Sequence, residues 1–432
     1  MSSAINNTIS FSGWQRTDGR KGIRNVIVVA YLVECAHHVS RRIVNHSNDM
    51  DVHLIGFPGC YPNQYAYEMM RAVCMHPNVG GALLVSLGCE SMNREKLLSE
   101  ITASGRPAEL LVIQEAGGTK STIELGVAAV KRLQGEAAKV ARVPMYLNEL
   151  IVGTICGGSD GTSGISANPA VGRCFDALVA ADAICIFEET GELIGCETIM
   201  ADRAITPELG AEIEACVAKA EHYYRVMGFG SFAPGNADGG LTTLEEKSMG
   251  AYSKSGSSPI SGLIKPGDIP PTGGLYLLDV VPDGEPRFGF PNISDNAEII
   301  ELIACGSHVI LFTTGRGSVV GSAISPVIKV CANPETYRRL AGDMDVNAGR
   351  ILEGEATLDE VGEEILQNVI AVASGKRSVS EELGHQEFIL TYKAFEPIGP
   401  SCLPVRQLTP TLPPPFEGGG RVGVQSVGKK FN

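Results

Sequence analysis

Between residues 26 and 138, mostly apolar runs alternate with amphipathic stretches. The runs are VIVVAYLV (26–33), DVHLIGF (51–57), GALLVSLG (81–88) and ELLVIQ (109–114). Helix-type stretches follow them at 35–48, 63–75, 93–103 and 119–138. Strands apolar on both faces must be covered on both faces, and a parallel strand needs a crossover to bring the chain back. The alternation therefore predicts an α/β fold that begins with a parallel, Rossmann-like sheet domain over residues 13–148. Ligands of such sheets bind outside the carboxyl ends of the strands. At those ends stand Gly59 and Cys60, then Gly88, Cys89 and Glu90, then Gln114 with Gly117, Gly118 and Thr119. Neither glycine-rich turn has the GxGxxG spacing, and no GxxxxGK[ST] occurs, so neither a dinucleotide nor a P-loop nucleotide is indicated.

The first strand is preceded by GWQRTDGRKGIRN (13–25), which carries Arg16, Arg20, Lys21 and Arg24. Arginines in a glycine-rich approach to a strand can clamp a carboxylate with paired hydrogen bonds, or they can be a solvated basic turn. Residues 1–12 read as a loose arm and 139–150 as a connection. Next comes ICGGSDGTSGISANPA (155–170), which fits neither a helix nor a strand period. Its glycines let backbone approach a ligand closely, and Cys156 and Asp160 suit a metal or an oxyanion. Three cysteines, Cys60, Cys89 and Cys156, can hold an iron–sulfur cluster; two can join a carboxylate around one ion; or all three can be ordinary buried thiols.

A second, larger α/β domain is predicted for 149–396. Its strands are read at 183–189, 274–281, 308–314 and 325–331, with helices at 169–181, 207–227, 295–305 and 357–374. After the 183–189 strand come Glu188, Glu189, Glu192 and Glu197, either a base and ion ligands or a solvated acidic turn. LTTLEEK predicts a helix start with Thr242 as cap and Glu245 closing a capping box. Arg316, set among glycines in TGRGSVVGS, fits an anion clamp. The proline- and glycine-rich stretch over 397–432 predicts an irregular tail.

The 432 residues, 44% hydrophobic, can bury a large core. A net charge of −14 argues against a nucleic-acid partner. No apolar run reaches the ~20 residues that span a bilayer, which argues against a membrane partner. The N-terminus has no secretory pattern, so a cytoplasmic location is expected. Twelve cysteines without a CxxC then read as buried, catalytic or metal-bound rather than disulfide-paired.

Taken together, GWQRTDGRKGIRN, SLGCE, CGGSDGTSGISANPAVG, PGNADGGLTTLEEKSMG, FTTGRGS and DMDVNAG resemble the altronate and galactarate dehydratase family, which also contains the large subunit of sulfolactate sulfo-lyase. The resemblance covers roughly residues 13–385. It implies β-elimination from a hydroxy acid: loss of water from a sugar acid to give a 2-keto-3-deoxy acid, or loss of sulfite from sulfolactate. It also implies a divalent metal, usually Fe2+. Two departures stand out. The small N-terminal domain common in the family is not seen before residue 13, which suggests a separate small subunit. GFPGCY (56–61) stands where the family often has HGxGCG. The expected site has Cys60, Cys89 and Cys156 on the metal, with an iron–sulfur cluster as the alternative. Arg20, Arg24, Asn25, Gln114, Thr119 and Arg316 bind substrate, and Glu189, Lys247 and Asp160 do the proton chemistry. A homo-oligomer is expected, and the competing reading is a non-catalytic acid-binding subunit.

Overall fold

Every strand of the two main sheets runs parallel to its neighbours. A computed structural model describes residues 9–228, 234–286 and 294–393; the tail predicted for 397–432 lies outside them. The first sheet has the order Val52–Gly56, Val26–Tyr31, Val79–Ser86, Ala108–Val112. Helices Glu34–Ser47 and Thr119–Ala137 cover one face, with Ile27, Val29, Leu83 and Val85 beneath them. Helices Gln64–Cys74 and Arg94–Ala103 cover the other face over Val28, Ala30, Ala82 and Leu84. This is the predicted α/β class, and the four strand–helix units fall within a few residues of their predicted places.

The second sheet has seven strands in the order Ile260–Ile264, Gly274–Leu278, Ile184–Phe187, Ile151–Cys156, Val309–Thr314, Val327–Cys331, Val346–Asn347. Along the central strand, Ile151 and Ile155 face the first sheet's helices while Val152 faces the opposite core with helices Ala167–Ala180 and Leu358–Ala373. Helix Asp295–Ala304 lies between that strand and helix Gln64–Cys74, joining the two layers through one continuous core. Fully buried Phe187 and Phe312 each contribute about 1.5–3 kcal/mol there. The described residues all belong to one compact unit.

Three elements differ from the sequence reading. Within the supposed loose arm, Ser10–Gln15 is a strand, and it pairs antiparallel with Arg142–Tyr146 inside the supposed connection. Each is short and its partner is far along the chain, so neither gives a local signal; the Arg142 guanidinium over the Trp14 ring helps set the pairing. Ile151–Cys156, part of which was read as loop, is the central strand of the second sheet. Ile260–Ile264, in a glycine- and serine-rich stretch, is its edge.

Candidate active site

The carboxyl end of the central strand delivers Cys156, and the carboxyl end of its neighbour delivers Glu188 and Glu189. Glu189 has φ 78°, a left-handed conformation that a non-glycine residue adopts at a cost of about 1–3 kcal/mol. The bend turns its carboxylate back onto the Cys156 strand. Its Oε1 accepts the Cys156 N–H at 3.2 Å and the thiol at 3.1 Å. The Cys156 thiol also reaches Glu192 Oε2 at 3.4 Å.

The cations come from helix Leu244–Tyr252. A capping box starts it, one residue later than the sequence reading: Thr243 accepts from Glu246 N and Glu246 bonds back to Thr243 N. Thr243 rather than Thr242 takes the cap because its backbone is the extended one, with ψ 161°. The first turn so placed drives Lys247 inward. Its Nζ donates to Cys156 Sγ at 3.2 Å and to Ser159 Oγ at 3.1 Å, and it pairs with Glu192. Lys254, on the turn that follows, pairs with Glu189. Both lysines are almost wholly buried.

Burial pushes the Cys156 thiol up to about 12, and the Glu189 and Glu192 charges act in the same direction. Burial pulls both lysines down, yet the Cys156 sulfur and the carboxylates outweigh it and hold both ammonium groups above the ordinary lysine value. Glu192 is raised, first by burial and then by Glu189. Its side chain keeps 20% of its surface open, so of the four charged groups it is the one that meets solvent. Glu188 is also buried, and neither of its oxygens has a hydrogen-bond partner. Burial and then Glu298 raise it well above the carboxylate range, so it stays protonated.

Two clefts open beside this centre. One of about 390 Å³ is lined by Ser294, Asp295, Asn296, Ser318, Val319, Val320 and Glu387. Its neighbour, about 480 Å³, reaches the strand ends Tyr31 and Gly56 of the first sheet and shares Asn296 and Glu387 with it. Asp295 leads from cleft to centre: a Cβ on Gly157, beside Cys156, would collide with its carboxylate. Asp295 itself is raised by burial and then by Glu192.

The remaining predicted residues go elsewhere. Among the described residues the one group of three metal-type donors within 4.8 Å is Cys156, Glu189 and Glu192; Cys60 and Cys89 do not join it. Those two are exposed at the carboxyl edge of the first sheet, close together because Ser91 N–H donates to the Cys60 carbonyl at 2.9 Å. All eleven described cysteines are free. Gln114, packed against Gly88, and Thr119 are exposed at the same edge.

Arg20, Arg24 and Asn25 precede their strand and so stand at the opposite, amino-terminal edge. Arg24 spends five N–H groups on the Ile23, Val372 and Lys376 carbonyls and both oxygens of Glu381, which leaves none for a substrate. Arg20 is held by Asp18 and the Met75 carbonyl, and Asn25 links Arg16 to the Ala137 carbonyl. Asp160 is no proton carrier either. It is buried, accepting from Thr162 N at 2.9 Å, Thr162 Oγ1 at 2.5 Å and Asn333 Nδ2 at 3.1 Å, and so folds its own loop. Arg316 is exposed at the correct edge and donates to the Gly235 carbonyl. Glu192 and Lys254 were visible in the sequence only as members of an acidic run and a polar stretch.

Fold and site define an α/β enzyme with a buried carboxylate–thiol–lysine centre at the carboxyl edge of its larger sheet. The family described as "D-galactarate dehydratase/Altronate hydrolase, second domain" matches residues 13–138, and "D-galactarate/Altronate dehydratase, C-terminal" matches residues 147–395. The beta subunit of (2R)-sulfolactate sulfo-lyase from Chromohalobacter salexigens is 31% identical, over 88% of this chain and 97% of that one. Altronate dehydratase of Bacillus subtilis is 32% identical, over 86% of this chain and 75% of that protein. Galactarate dehydratase (L-threo-forming) of Escherichia coli is 33% identical, over 71% of this chain and 58% of that protein. The chain belongs to the galactarate/altronate dehydratase family, and it is a lyase.

Proposed function

We propose that this chain eliminates water from a sugar acid of the altronate or galactarate kind, giving a 2-keto-3-deoxy acid. The observation that carries the reading is the Cys156–Glu189–Glu192–Lys247 centre at the carboxyl edge of the second sheet. In the reaction a base takes the proton next to the carboxylate, the C–O bond at the next carbon breaks, and the hydroxide leaves as water after accepting a proton. The enol so formed tautomerises to the keto acid. Glu192 is the base: it is the open carboxylate, and its raised pKa brings it nearer the working range of a proton acceptor. Lys247, held as an ammonium against Glu192, supplies the proton for the leaving oxygen.

One thiol and two carboxylates within 4.8 Å suit a divalent transition metal, and iron is the metal the family leads one to expect. Cys156, Glu189 and Glu192 would hold it, and when bound it would supply a Lewis acid toward the substrate's oxygens. The test is turnover of purified protein, prepared without oxygen and with or without Fe2+, on altronate, galactarate and sulfolactate. Keto-acid formation that Cys156→Ser abolishes together with bound iron is the expected result; no turnover of any acid sinks the reading.

The near-complete coverage of the sulfo-lyase beta subunit favours a second reading, sulfite elimination from sulfolactate with the help of a separate small subunit. Sulfite release that appears only on adding such a subunit would establish it.

A further inference from the structure

The smaller cleft has an unbalanced lining. Its polar groups are two carboxylates, Asp295 and Glu387, the Asn296 amide and the hydroxyls of Ser294 and Ser318, with no lysine, arginine or histidine among the described residues. Asn296 stands at the waist shared with the larger cleft, and its Oδ1 is buried with no hydrogen-bond partner. An unpaired buried acceptor costs about 1–3 kcal/mol, so a site that keeps one is built for a donor. Glu387 faces the same waist, anchored there because one of its oxygens accepts the Gly321 N–H at 2.8 Å.

A ligand crossing this waist must bring hydrogen-bond donors. Hydroxyl groups do so; a carboxylate or sulfonate brings only acceptors and negative charge. We infer that Asn296 and Glu387 read the hydroxyl-bearing carbon chain of the substrate, and that they select a polyhydroxy acid over a short acid with an anionic group at each end. This rests on the proposed elimination reaction and adds the substrate class to it. The combined clefts have room for such a chain, since together they fall within the usual 300–1,000 Å³ of small-molecule sites. The charged reacting end would lie toward Asp295 and the Lys247 side, where cations are available, and the chain would extend through the waist.

The test compares the full-length protein with Asn296→Ala and Asn296→Asp, which removes and keeps the acceptor oxygen, on altronate, galactarate and sulfolactate. For the polyhydroxy acids Asn296→Ala should raise KM about tenfold with kcat within a factor of three, and Asn296→Asp should restore KM to within a factor of three. Sulfolactate should bind the parent more weakly than either sugar acid and should not respond to Asn296→Ala. Calorimetric binding of the same three acids gives a readout that does not need turnover. If nothing is turned over, the elimination reading fails while the hydroxyl-reading waist is still judged by affinity. Equal loss for all three acids, no loss for the sugar acids, or tightest binding of sulfolactate would overturn the inference.

Discussion

Two charged regions stand at opposite edges of the parallel strands, and they use their charges differently. At the amino-terminal edge, the loop of residues 16–25 ties the layers together: Arg24 reaches the far helices, Asn78 donates to the carbonyls of His308 and Ile324, and His308 bonds the Lys21 carbonyl. At the carboxyl edge, Cys156, Glu189, Glu192, Lys247 and Lys254 form an equally dense network, but Glu192 stays open and clefts lie beside it. The first region is saturated and therefore structural. The second keeps an unfinished side, which catalysis needs. A dense run of charged residues does not tell the two apart; the count of donors already spent does.

The sharpest way to break this contrast is Lys247→Met. If the carboxyl-edge network does the chemistry, kcat should fall about 10³–10⁴-fold, with the circular dichroism spectrum unchanged. Retained turnover would move the proton chemistry away from this network. Next comes Arg24→Ala at the other edge. It leaves Glu381 without its partner in a mostly buried setting and should cost about 3–5 kcal/mol in denaturant unfolding, with KM unchanged. A raised KM with unchanged stability would make Arg24 a substrate ligand after all.

A pH series sharpens the same edge. His308 is buried; its Nδ1 accepts the Ile151 N–H at 3.0 Å, and burial lowers its pKa from 6.5 to about 4. A histidine whose folded pKa is depressed adds stability above its unfolded value and loses it as pH falls. Between pH 6.5 and about 4 the unfolding free energy should therefore decline by about 3 kcal/mol more in the parent than in His308→Asn. Parallel curves would show that the histidine does not titrate across folding. The smallest effect is expected where two cysteines sit at a strand edge without charged partners. Cys60→Ser and Cys89→Ser should each leave activity and bound metal within about twofold of the parent, since an exposed side chain changes little beyond itself. Loss of metal in either would restore the three-cysteine site.

The alternation of apolar strands with helices determined the parallel sheet of the first domain, because each residue's burial on both faces is a local, repeating property of the chain. The capping box near Thr243 was legible to within one residue for the same reason. The short strands Ser10–Gln15 and Arg142–Tyr146 were not, since each is stabilised only by a partner far along the sequence. The site followed the same division. Cys156, Glu189 and Lys247 could be nominated as residue types at strand ends and in glycine-rich loops. Which cysteine would meet them could not, because Cys60, Cys89 and Cys156 look alike in sequence. Only the strand order, which sets Ile151–Cys156 beside Ile184–Phe187, and the helix that turns Lys247 inward, decided that one thiol joins the charges and two stay in solvent. Directions and distances between segments far apart in the chain are set by packing, and packing is a property of the folded whole.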